Sequence, residues 1–147
     1  MLDVRRYSRS SFEEAMSDIN DSNVELLNEY FICINATGWI HGIPYFKKEH
    51  RNVINLYFDD VHKTGLKVIP WFNNDQRIIY AHACSKEQAV ELKKFIETIP
   101  QGSIVHIYCA KGRSRSRGVE MYISELFNNT VLHDEINSNV YDMLKSV

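Results

Sequence analysis

The sequence has little cysteine and few chain breakers. Three cysteines, Cys33, Cys84 and Cys109, are odd in number and widely spaced among 147 residues. No CxxC and no paired Cys/His spacing occurs, so neither a disulfide scaffold nor a zinc site is expected. Free thiols point to a reducing, intracellular compartment. No run of about 18 apolar residues exists, which excludes a transmembrane helix. The opening stretch "MLDVRRYSRS" lacks the apolar core of a signal peptide. With 6 Gly and 3 Pro there is no linker-like tract, and no repeat. A chain of this length fits one domain over 1–147 and can bury a core. Excess charge of one sign is also missing. The net charge is -2, too balanced for a general nucleic-acid binder.

What is present is local. In "IVHIYCAKGRSRSRG", an apolar run over 104–109 ends at Cys109. Lys111, Arg113, Arg115 and Arg117 then crowd the densest positive charge of the chain into seven residues. The run reads as a buried strand. "SRGVEMYISELF" behind it carries Val119, Tyr122, Ile123 and Leu126 on one helical stripe.

The rest of the chain fits an alternating pattern. "DVRRYS" reads as a first strand. "SFEEAMSDI" reads as a helix, with Phe12, Ala15, Met16 and Ile19 at helical spacing and a capping box at Ser11 and Glu14. "YFICIN" and "NVINLYF" read as strands, the latter stopping at Asp59 and Asp60. "SKEQAVELKKFIETI" is the clearest helix, capped by Ser85 and Gln88, with Ala89, Leu92, Ile96 and Ile99 on one face. "SNVYDMLKSV" closes the chain as a short helix. Residues 61 to 84 read as irregular. "LKVIPW" and "RIIYA" flank a turn signal at "NNDQ", but Pro70 demotes the first to an edge or loop. The expected fold class is α/β, a central, mostly parallel sheet of four to five strands with helices on both faces. Ligands of such sheets bind beyond the carboxyl ends of the strands. Cys109 and the Asp59–Asp60 pair both fall there.

Six residues joining a strand to a helix N-terminus can wrap their backbone N–H groups round one oxyanion. Gly112 supplies the backbone freedom for such a nest. Arg115 can grip two phosphate oxygens at once. The helix starting near Ser116 aims its positive end at the same point. The same field favours the thiolate of Cys109, a nucleophile for phosphoryl transfer.

In these residues the chain resembles the cysteine-based protein phosphatases, whose signature CxxGxxR[ST] stands here as Cys109, Gly112, Arg115 and Ser116. With Ser114, the longer CxxGxSRS form looks like the small dual-specificity-type phosphatases of bacteria and phages. The likeness extends over roughly residues 30 to 147. "LYFDDV" looks like the group's strand-then-acid motif. "SKEQAVELKKFIE" resembles the helix before the signature strand, and "INSNVYDML" its C-terminal pattern, with Ser138 in a proline's place.

The resemblance implies a fold of the cysteine-phosphatase type and a two-step reaction through a phosphocysteine on Cys109. Arg115 and the amides of Ala110, Lys111, Gly112, Arg113 and Ser114 would bind the phosphoryl oxygens. Ser116 would hydrogen-bond the sulfur and help it leave. Asp60 would be the general acid, with Asp59 or Asp75 as alternatives. No cofactor and no metal is implied. The substrate would be a phosphorylated protein or another phosphomonoester, acted on in the cytoplasm, that of a bacterial host if the chain is viral.

Two departures stand out. Tyr108 replaces the family's usual histidine before the cysteine, and His106 lies on the opposite face of the strand. Arg117 and Gly118 stand where small apolar residues are common. With Lys111 and Arg113, Arg117 gives a more cationic mouth than a phosphotyrosine site needs, which points toward a highly charged substrate such as a polyphosphate, a nucleic-acid 5′ end or an acidic phosphopeptide. For Lys111, Arg113 and Arg117 a solvated surface role weighs as much as substrate contact. Trp71 and Tyr80 are candidates for lining a substrate slot. Cys33 and Cys84 read as packing.

Two rival functions remain. A rhodanese-like sulfurtransferase also ends a strand in a cysteine and a basic loop, and the opening "LDVR" resembles a rhodanese motif. The "GHIPGA"-like continuation is missing, and "GWIHGI" comes too late. The other rival is a catalytically weak module that binds phosphate without turning it over.

Overall fold

The computed structural model describes residues 1–37, 43–70, 75–128 and 139–147. Four strands form one parallel sheet: β1 (Asp3–Ser8), β2 (Tyr30–Asn35), β3 (Val53–Tyr57) and β6 (Ile104–Cys109), in the order β1-β6-β2-β3. Two further strands, β4 (Gly65–Pro70) and β5 (Gln76–Ala81), pair only with each other, antiparallel. The fold is thus α/β with a parallel four-stranded sheet, as the alternation of apolar runs with amphipathic helices leads one to expect.

β6 sits between β1 and β2, and Val105 to Cys109 are all buried. Their side chains alternate between two cores. Val105, Ile107 and Cys109 join the cluster under α2 (Lys86–Glu97), α3 (Arg115–Leu126) and α4 (Asn139–Ser146). Tyr108 joins Phe12, Phe31, Cys33 and Phe46 on the other face, beside α1 (Arg9–Ala15). Helices therefore cover both faces. Cys33 and Cys84 are buried, as expected of packing thiols. Burial pushes the Cys84 thiol up to about 12 and raises that of Cys33 as well.

α2 follows its sequence signals. Ser85 Oγ accepts from Gln88 N, and Gln88 Oε1 accepts from Ser85 N, closing the capping box. Ala89, Leu92 and Ile96 are buried within it, and Ile99 just beyond it. α1 departs from them. Its cap is Ser8, which accepts from Ser11 N, so the box expected at Ser11 and Glu14 does not form. The helix ends at Ala15, short of Ile19, and only Phe12 within it is buried. The physical reason is that β1 runs directly into α1 at Ser8, which places a hydroxyl cap three residues earlier. In α3, Val119, Tyr122 and Ile123 are buried, but Leu126 is exposed.

The segment expected to be irregular is largely the β4–β5 hairpin. Pro70 is the last residue of β4, paired with Gln76, where a missing N–H does little harm. The base of the hairpin is pinned to the main body. Asp59 N–H donates to the His82 carbonyl at 2.7 Å, while Ala83 N–H donates to Thr64 Oγ1 at 2.9 Å and closes the hairpin's own two ends. Asn139 of α4 accepts from Cys84 N–H at 3.1 Å. Among the described residues no helix is long and apolar enough to cross a membrane. Trp71, Ser138 and most of "GWIHGI" lie outside the described residues.

Candidate active site

The carboxyl ends of β1, β6, β2 and β3 make one rim of the parallel sheet. Cys109 is the last residue of β6, and six positions later Arg115 opens α3. Three contacts define the loop between them. Gly112 N–H donates to Cys109 Sγ at 3.2 Å. Cys109 Sγ lies 3.2 Å from Ser116 Oγ and donates to it as a thiol. With the thiol ionised, the Ser116 hydroxyl would turn to donate instead. Both contacts converge on the sulfur. The first turn of α3 adds its dipole. Ser114, which precedes it, makes no side-chain capping bond.

Gly112 has φ +68°, the left-handed region. A Cβ built on it would lie 2.5 Å from Ser8 N and 2.5 Å from the Tyr7 carbonyl carbon. So glycine is required twice, by backbone angle and by close approach. The loop leans on the β1–α1 junction at this point. Arg9 N–H donates to the Ala110 carbonyl at 3.2 Å, a second tie between the same segments.

Arg115 is 7% exposed. Its Nη1 donates to the Phe58 carbonyl at 2.8 Å. Phe58 directly precedes Asp59 and Asp60, so the arginine of the loop holds the segment that bears both acids. The three acidic candidates part here. Asp59 is a brace: Oδ1 accepts from Thr37 N–H (3.0 Å), and Oδ2 from the Thr37 hydroxyl (2.5 Å) and His82 N–H (2.8 Å). Asp60 is exposed, and its carbonyl accepts from Lys67 Nζ at 3.2 Å. Asp75 and His82 bracket β5, which separates Asp75 from Asp59's partner by about 23 Å at about 3.3 Å per residue.

The four basic residues also part. Arg115 is buried, Lys111 and Arg113 are exposed, and Arg117 pairs with Glu120 one turn along α3. Arg6 approaches the same Glu120 at 3.9 Å. The expected contribution of Arg117 to a cationic mouth is therefore largely offset. Gly118 is buried in α3.

Tyr108 points away from Cys109, into the opposite core, where its hydroxyl is a junction. It donates to Asn35 Oδ1 at 2.6 Å and accepts from Arg9 Nη1 at 3.1 Å and from Tyr45 N–H at 3.3 Å. Burial raises the phenol pKa. Asn35 Nδ2 in turn donates to the Leu56 carbonyl at 3.3 Å. The network joins the ends of β6, β2 and β3 to α1 behind the loop. His106 lies on this face too, as its parity in the strand requires. Its Nδ1 pairs with the Tyr7 hydroxyl (2.9 Å), its Nε2 with Glu29 (2.5 Å) and its ring stacks on Phe31. Desolvation lowers its pKa, with Glu29 opposing.

The sequence reading missed Phe58, Asn35, Arg9 and His82. None carries a local signal, because each acts through a partner far along the chain. No protein-family model, curated protein or solved structure matches the chain.

Proposed function

We propose that this protein is a cysteine-dependent phosphatase of the dual-specificity type, hydrolysing phosphomonoesters through a phosphocysteine. One observation carries the reading: Gly112 N–H and the Ser116 hydroxyl both meet Cys109 Sγ, beside a buried arginine, in a strand–loop–helix of C-x5-R spacing. A structural cysteine has no need of that company.

Cys109 attacks phosphorus in line while the leaving oxygen departs. The loop amides from Ala110 to Ser114 and the guanidinium of Arg115 hold the equatorial oxygens as charge develops. Arg115 releases or shares its bond to Phe58 to do so. Asp60 gives its proton to the departing oxygen, then takes one from the water that attacks the phosphocysteine. Ser116 donates to the sulfur as it leaves. The substrate is a phosphorylated protein, and the chain acts in the cytoplasm.

The test is hydrolysis of p-nitrophenyl phosphate in the presence of chelator, with Cys109→Ser alongside. Turnover by wild type, abolished by the substitution, is the expected result. An inert wild type that still binds phosphate would leave a binding module, and thiosulfate sulfurtransfer would then be assayed on Cys109.

A further inference from the structure

The β4–β5 hairpin shows an apolar face that nothing among the described residues covers. Leu66 is 77% exposed, Val68 55%, Ile78 68% and Tyr80 58%. These are not scattered. Leu66 pairs with Tyr80 and Val68 with Ile78, so the four make two adjacent cross-strand pairs on one face. Contiguous exposed apolar area of this kind marks a contact surface. A two-stranded sheet is only marginally stable alone, and this one is held from its base by Asp59 and Asn139 rather than through that face.

The face leads to the candidate site. Along β5 the row Ile78, Tyr80 continues to His82, whose ring meets that of Tyr80 at 5.0 Å between centroids. His82 N–H and carbonyl bond Asp59, and Arg115 bonds the residue before Asp59. Tyr80 thus stands about 7 Å along the strand from a residue clamped to the rim. An extended chain spans that interval in a few residues.

We infer that the exposed face of the β4–β5 hairpin is a docking platform for a phosphorylated polypeptide, whose apolar side chains near the phosphoresidue cover Leu66, Val68, Ile78 and Tyr80. The inference rests on the phosphatase reading for the phosphate group alone. Charge selects this occupant. Lys111 and Arg113 are exposed on the cradle, and Lys67 reaches the Asp60 carbonyl, so positive charge lies at the phosphate end. The four side chains of the platform carry none. A nucleic acid takes most of its affinity from phosphate contacts along its length, which such a face does not offer. A polypeptide joins one phosphate to apolar side chains. The outer edges of β4 and β5 also pair with no other strand among the described residues, so an extended peptide can add its main-chain bonds.

The experiment uses full-length Cys109→Ser protein and fluorescence anisotropy with short peptides. Each carries a central phosphotyrosine or phosphoserine, flanked by Leu and Val or, in the control, by Ser. The apolar-flanked peptides should bind about tenfold or more tightly. That gap should close in Leu66→Ser/Ile78→Ser, while the same pair placed in protein that keeps Cys109 still turns over p-nitrophenyl phosphate at the wild-type rate. Both positions are exposed, and circular dichroism checks the fold. The inference is overturned by no gap between the peptides, by a gap indifferent to the double substitution, or by binding of a 5′-phosphorylated oligonucleotide that the substitution weakens instead. Loss of self-association in sedimentation, with peptide binding unchanged, would assign the face to a second copy and also overturn it. If peptides dock through the hairpin while wild type turns over nothing, docking stands and hydrolysis falls. If p-nitrophenyl phosphate is hydrolysed but no peptide binds, the reverse holds.

Discussion

Arg115 Nη1 donates to the carbonyl of Phe58 at 2.8 Å, across 57 positions of sequence. That bond fixes the guanidinium over the rim and ties the loop to the acid-bearing segment. A lysine keeps the charge but loses the planar fork, so it cannot hold Phe58 and two phosphoryl oxygens in one plane. Arg115→Lys should lower kcat/KM for p-nitrophenyl phosphate by about 100-fold or more. Steady-state kinetics reads this directly. A loss of less than about threefold would mean that Arg115 only supports the fold.

Asp59 and Asp60 should separate in kind. Asp59→Ala strands Thr37 N–H and His82 N–H, and should cost about 1–3 kcal/mol in urea unfolding. Asp60→Ala should leave stability within about 0.5 kcal/mol. It should cut kcat for an alkyl phosphate by about 100-fold or more, while sparing p-nitrophenyl phosphate, whose leaving group needs little protonation. The opposite pattern would make Asp59 the acid.

Gly112→Ala meets backbone, not a flexible side chain, at Ser8 and Tyr7. The loop or the β1–α1 junction must shift. The expected cost is about 1–3 kcal/mol of stability from strain and overpacking. Turnover should fall at least tenfold, roughly 1.4 kcal/mol, because Gly112 N–H leaves the sulfur. Unfolding and kinetics on the same sample check both. An unaltered rate would show that the loop is looser than these contacts imply.

His50 gives the fold a pH signature remote from the site. Its Nδ1 bonds Glu25 (3.0 Å) and its Nε2 bonds Asp21 (2.8 Å). The Glu25 bond, against some desolvation and with help from Asp21, raises its pKa. A raised histidine stabilises fully below its unfolded value of about 6.5 and loses that contribution as pH rises through the folded value. Asp21 and Glu25 are lowered, Asp21 despite desolvation and Glu25 chiefly by the His50 bond. Their contributions hold above the unfolded carboxylate value and fade as pH falls through the folded one. The melting difference between wild type and His50→Gln should therefore shrink from about pH 6 to about pH 9. A difference that grows over that range would reverse the assignment.

Much of the site is contiguous in sequence, and that part was legible. The strand 104–109, the loop and α3 lie within one stretch, so apolar run, glycine, arginine and stripe fall in the order the backbone uses. The cap of α2 was readable for the same reason, since both partners lie within one turn. The cap of α1 was not. Ser8 and Ser11 both suit a cap, and only the end of β1 decides between them. The hairpin was half legible: its two runs and its turn signal were visible, while Pro70 left the first open as an edge strand or a loop, and only the pairing decided for the edge strand.

The sequence by itself determined that a thiol, a glycine and an arginine share one short loop between a buried strand and a helix. Hydrogen bonds and side-chain periodicity within a few residues suffice for that. Only the tertiary structure decided that Asp59 is a brace, that Asp60 stays exposed beside the segment Arg115 grips, and that Tyr108 works behind the loop with Asn35 and Arg9. Each of those outcomes depends on which strands lie side by side. That order is set by burying two apolar faces of one sheet at once, a sum over the whole chain that no single stretch encodes.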